Sequence, residues 1–79
     1  MLDDEKLLAV LPLLRLEYDK AKAKHPVFPR EPARALAIVT EEVLELARAV
    51  NDGERPERIR EEAAHVAVTA LRLLAEVQE

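Results

Sequence analysis

The segment TEEVLELARA, residues 40–49, sets three glutamates, Glu41, Glu42 and Glu45, within five positions. On a helix, residues three and four apart are neighbours, and like charges there repel by about 0.2–0.5 kcal/mol per pair. Compensation is scarce. Glu42 has no basic residue three or four positions away, Glu41 has only Glu45 as a charged neighbour at that spacing, and Arg48 alone stands three beyond Glu45. The Glu-x-x-Glu spacing of Glu42 and Glu45 puts two carboxylates on one helix face about a turn apart. Both can then reach a single hard cation such as Mg²⁺, which takes oxygen ligands. Spacing alone does not decide the matter, because it recurs at Glu54/Glu57 and Glu76/Glu79. A plain solvated acidic face is the competing reading, since exposed charge clusters cost little.

A second constellation is REEAAH, residues 60–65, where Glu62 and His65 stand three apart with Glu61 beside them. Here ordinary ion pairs are available, for Arg58 precedes Glu61 by three and Glu62 by four. Acids early in a helix are also favoured by its dipole. A lone histidine on a polar stripe is commonly a hydrogen-bonded or solvent-facing residue, so His65 alone does not make a ligand set.

The elements that must position these groups are helical. Charged residues make up 35% of the chain, aromatics 3%, and there is a single glycine, a composition that favours helix over strand. The punctuation predicts an all-α unit of helices at about 3–24, 32–52 and 56–77 within one domain spanning 1–79. Asp3 is the expected N-cap of the first helix, with apolar positions at Leu7, Leu8, Leu11, Leu14 and Tyr18. Pro12 inside that pattern must kink the helix or divide off an entry turn. HPVFPREP, residues 25–32, carries three prolines and cannot continue a helix. Val27 and Phe28 are expected to pin this connection to the core. Pro32 and Pro56 suit first-turn positions, and Gly53 suits a left-handed helix stop.

The turn around Gly53 is short, so the second and third helices should pack antiparallel. Glu42 and Glu45 precede Gly53 by about as many residues as Glu62 and His65 follow it. Equal distances from the turn put the two patches at one height, where three carboxylates from two helices can face a shared cation. From Ala63 to Val77 the polar residues are His65, Thr69, Arg72 and Glu76, a single narrow stripe extended backwards by Glu62 and Arg58. The apolar arc of this helix exceeds the roughly 100° of an ordinary surface helix. One hairpin neighbour cannot cover it, which predicts a subunit interface and a bundle of two or more chains.

Length and charge narrow the classes. A 79-residue chain builds a small core, and without cysteine it has neither disulfides nor thiolate metal sites. Metal binding through oxygen ligands and oligomerisation remain. A net charge of −4 argues against a nucleic-acid polymer as main partner, though a bound cation would still admit a nucleotide. No signal peptide is visible and no apolar run approaches a membrane span, so the expected setting is cytoplasmic, with no membrane partner.

At these residues the sequence resembles the all-α nucleoside triphosphate pyrophosphohydrolase superfamily, the MazG-like group with relatives among the dimeric dUTPases. Its members carry a Glu-x-x-Glu on one helix and a Glu-x-x-Asp on the next. The block EEVLELARAVNDGERPERIREEAAHVAVTALRLL resembles this arrangement over about residues 36–77, and HPVFP has the flavour of the preceding connection. The resemblance implies Mg²⁺-dependent cleavage between the α- and β-phosphates of a (d)NTP, in a homodimer or homotetramer. Carried over by position, Glu42, Glu45 and Glu62 would be metal ligands, and Glu41 would support the site or orient the attacking water. Lys20, Lys24, Arg30 and Arg34 are candidates to hold phosphate oxygens. His65 stands where the second motif should have aspartate. Imidazole is a poor Mg²⁺ ligand and a better one for Mn²⁺ or Zn²⁺. That departure leaves an altered metal preference, weak binding or lost catalysis open. The alternative is a catalytically impaired helical oligomer that binds a nucleotide or a protein, and a plain helical interaction domain stands behind it.

Overall fold

The computed structural model describes residues 3–77, which form three α-helices joined by two connections. Glu79, and with it the Glu76/Glu79 spacing, lies outside the described residues. Helix α1 spans Asp4–Lys24, α2 Pro32–Asn51 and α3 Pro56–Glu76. The Asp3 carboxylate accepts the Lys6 backbone N–H at 2.8 Å, the expected N-cap. Pro12 lies within α1, which continues through it as one helix without a separate entry turn. The missing Pro12 N–H leaves the Leu8 carbonyl without its intrahelical donor.

The α2–α3 turn is built on Gly53, whose φ of 64° is the left-handed conformation glycine adopts without steric cost. Its N–H bonds the Val50 carbonyl at 3.1 Å, and the Glu54 N–H reaches back to Ala49 at 3.0 Å. That double closure is a Schellman stop. Pro32 and Pro56 both occupy the first turn of their helices, where a missing N–H costs nothing.

Helices α2 and α3 pack along each other as a hairpin, and α1 packs on α3 without closely approaching α2. The buried apolar side chains are few: Phe28, Ala35, Ala49, Ala64 and Val68. The alanines allow close helix approach, and Phe28 plugs the α1–α2 connection into the core. Val27 does not share that role. It is 85% exposed.

Helix α3 carries its polar stripe inward. Glu62 and Arg72 are each only 3% exposed, His65 and Thr69 are half-buried, and Leu71 and Leu74 face outward. The Arg72 guanidinium lies over the Phe28 ring, 5.0 Å from its centroid, and its Nε and Nη2 meet no hydrogen-bond partner among the described residues. No helix among the described residues is long and apolar enough to cross a membrane.

Candidate metal centre

The antiparallel α2–α3 hairpin brings Glu42 of α2 level with Glu62 and His65 of α3. One ligand atom from each of the three lies within 4.8 Å of the others. His65 Nδ1 is 2.9 Å from Glu62 Oε1 and 3.9 Å from Glu42 Oε2. Its second ring nitrogen, Nε2, is 3.5 Å from Oε2 of Glu17 on α1. The imidazole is therefore where carboxylates from all three helices meet.

These charges are held away from water to different degrees. Glu62 is buried, with the Arg58 guanidinium 3.5 Å from its Oε1. Arg58 also hydrogen-bonds Glu61 and pairs with Glu54, and the Glu62 charge is the main influence raising its pKa. Glu42 has its pKa raised above the ordinary 4.5, first by burial, then by a hydrogen bond to Glu45 and by the Glu45 charge. Glu62 adds to the rise, and His65 opposes it. Glu42 Oε2 is buried and meets no hydrogen-bond donor among the described residues. A carboxylate oxygen in that condition is incomplete, because a desolvated anion needs a cation or a donor.

The donor set fits a divalent metal. Adjacent ligands around an octahedral ion, at about 2.1 Å from it, are about 3 Å apart. The Nδ1–Glu62 separation of 2.9 Å already matches, while Glu42 Oε2 lies farther out, at 3.9 Å from Nδ1. Two carboxylate oxygens and one imidazole nitrogen suit Mn²⁺ or Zn²⁺ better than Mg²⁺.

Beside the cluster opens a cleft of about 420 Å³, lined by Glu17, Lys20, Lys24, His25, Glu42 and His65 among others. Lys20 and Lys24 thus bring positive charge next to the carboxylates, Lys20 also lying 3.3 Å from Glu17. The other proposed phosphate ligands are elsewhere. Arg30 lines a different cleft with Phe28 and Glu76, and Arg34 pairs with Glu31 at 3.5 Å near the start of α2. Glu45 stays at the solvent edge, joined to the cluster through Glu42. Glu41 is exposed and lines neither cleft.

Two cleft residues were missed by reading the sequence, Glu17 and His25. In the sequence Glu17 has Lys20 three positions on, a spacing that suits an ordinary surface ion pair. That pair exists, but it leaves the second carboxylate oxygen facing His65. His25 had a weak signal as the residue that ends α1, its N–H bonding the Ala21 carbonyl at 2.8 Å. Comparisons with protein-family models, with curated proteins and with solved structures returned no match.

Proposed function

We propose that this protein is a divalent-metal-dependent nucleoside triphosphate pyrophosphohydrolase, with Glu42, Glu62 and His65 holding the metal. The observation that carries the reading is the convergence of these three ligand atoms within 4.8 Å beside a cleft that Lys20 and Lys24 line. The motif resemblance supplies the reaction: hydrolysis of the α–β phosphoanhydride bond of a (d)NTP by water, with release of a monophosphate and pyrophosphate. A bound divalent ion would acidify that water and neutralise phosphate charge. Lys20 and Lys24 bind phosphate oxygens across the cleft. Glu45, whose charge acts on Glu42 from the solvent edge, is better situated than Glu41 to take up the water's proton. The His65 nitrogen among the ligands favours Mn²⁺ over Mg²⁺.

The test is a (d)NTP panel with Mg²⁺ and then Mn²⁺, scored for monophosphate and pyrophosphate. Pyrophosphate release from at least one nucleotide, faster with Mn²⁺ and lost in Glu42→Ala, is the expected result. Intact nucleotides throughout, at high protein concentration, would remove the enzymatic reading.

One observation favours a second reading, a helical module without turnover. When protonated, His65 is itself a cation between Glu62 and Glu17, at 2.9 and 3.5 Å. It can balance the carboxylates with no metal present. Under that reading the melting temperature is indifferent to Mn²⁺.

The exposed aliphatic side chains support an oligomer as the working form. Leu7, Leu8, Val10, Leu11, Leu13 and Leu16 of α1 and Leu71 and Leu74 of α3 all lie uncovered in the single chain. A second copy of the same chain is the proposed cover.

A further inference from the structure

We infer that Glu17 is a positioning residue of the metal centre: it accepts the Nε2 proton of His65 and so frees Nδ1 to face the metal. The inference rests on the reading that Glu42, Glu62 and His65 hold a divalent ion, and it assigns a task to α1 that neither acidic motif predicts.

A neutral imidazole has one N–H and one lone pair, and it can ligate a metal only through the unprotonated nitrogen. His65 Nδ1 is the nitrogen that faces Glu42 and Glu62. For it to act as a ligand, the proton must sit on Nε2, and a half-buried N–H is best satisfied by a nearby acceptor. Glu17 Oε2, at 3.5 Å, is the carboxylate on that side of the ring. The separation is a few tenths of an ångström beyond the usual N–H···O range. Nδ1 now lies at hydrogen-bond distance from Glu62, at 2.9 Å. With the proton on Nε2 rather than Nδ1, that hydrogen bond is absent and the ring is free to tilt toward Glu17. Metal-bound histidines commonly donate their second N–H to a carboxylate in this way, which fixes the tautomer and raises ligand basicity.

Glu17 is built for the task rather than loosely nearby. Its side chain is only 14% exposed, and Lys20 Nζ lies 3.3 Å from its other oxygen, Oε1. Lys20, Glu17 and His65 therefore form a chain running from α1 into the centre. Helix α1 has no buried residue of its own, so this polar link is one of the few specific features that set its register on α3. Metal binding should consequently depend on how α1 docks.

The test uses the full chain and two probes, Mn²⁺ followed by the electron paramagnetic resonance signal of the free ion, and Zn²⁺ with ¹⁵N-histidine NMR. In the Zn²⁺-loaded wild type, His65 is expected as the Nε2–H tautomer. Glu17→Leu should bind Mn²⁺ about 10–100-fold more weakly and give a mixture of tautomers with helicity retained. Glu17→Gln, which keeps an acceptor oxygen, should lose less. If Glu17→Leu matches the wild type while His65→Ala does not, the role of Glu17 is wrong and the metal reading stands. If the wild type binds no Mn²⁺ saturably, both fall. Should Glu17→Leu fail to fold, an Nδ1–H tautomer in the Zn²⁺-loaded wild type overturns the inference by itself.

Discussion

At the scale of single residues, Glu42 shows what the site costs the fold. Burial and the neighbouring Glu45 raise its pKa above 4.5, so the folded chain binds this proton more tightly than the unfolded chain does. Glu42 therefore contributes a loss of stability as pH rises from about 4.5 through its raised value, and the loss is complete above it. Glu42→Gln removes a desolvated charge. It is expected to raise the melting temperature of the metal-free protein at neutral pH and to remove the pH dependence that Glu42 causes. The same variant should cancel any stabilisation by Mn²⁺. Thermal unfolding across pH 4–8, with and without the ion, checks all three points. His65→Asp restores an all-oxygen donor set and is expected to shift preference from Mn²⁺ toward Mg²⁺, measured by pyrophosphate release with each ion. Glu42, Glu62 and His65 were legible in the sequence because an i, i+3 spacing and an equal distance from Gly53 fix their height on two joined helices. Glu17 was not, because the long HPVFPREP connection sets no register between α1 and α3.

At the scale of elements, the helix ends were legible because each rests on local backbone chemistry. Asp3 caps α1, Pro32 and Pro56 open α2 and α3, and Gly53 closes α2. Gly53→Ala is expected to cost about 1–2 kcal/mol through its positive φ alone, since no atom lies within 4 Å of where the added Cβ would sit. Denaturant unfolding reads this directly, and Gly53→Asn should cost less. The rotation of α3 was less legible. Its wide apolar arc suggested which surface must be covered, but not that the narrow polar stripe would turn inward with Glu62 and Arg72 buried. Only tertiary packing decides that, and the arrangement trades apolar burial for a charged interior. Arg72 shows the cost: its guanidinium lies on Phe28, and two of its nitrogens lack hydrogen-bond partners among the described residues. Arg72→Met keeps the aliphatic packing and removes the desolvated charge, so the melting temperature should hold or rise. A large drop would mean that the stacking of the guanidinium on Phe28 outweighs its desolvation.

At the scale of the whole molecule, two large apolar side chains, Phe28 and Val68, carry the buried core, while Leu8 is 64% and Leu74 78% exposed. Such an imbalance is what a subunit of a helical bundle has when viewed alone. Sedimentation is expected to give a species of two or four 8.9 kDa chains, and Leu71→Glu with Leu74→Glu is expected to weaken it. A single-chain species with unchanged helicity would contradict the proposed assembly. The central question is whether carboxylates from separate helices hold one cation. Calorimetric titration of the wild type with Mn²⁺ tests this most directly, alongside Glu42→Ala and Glu62→Ala. The expected result is one saturable ion per chain, with affinity reduced by more than about 100-fold in either variant while the helices persist. Binding that is absent in the wild type, or equal in all three proteins, would contradict it.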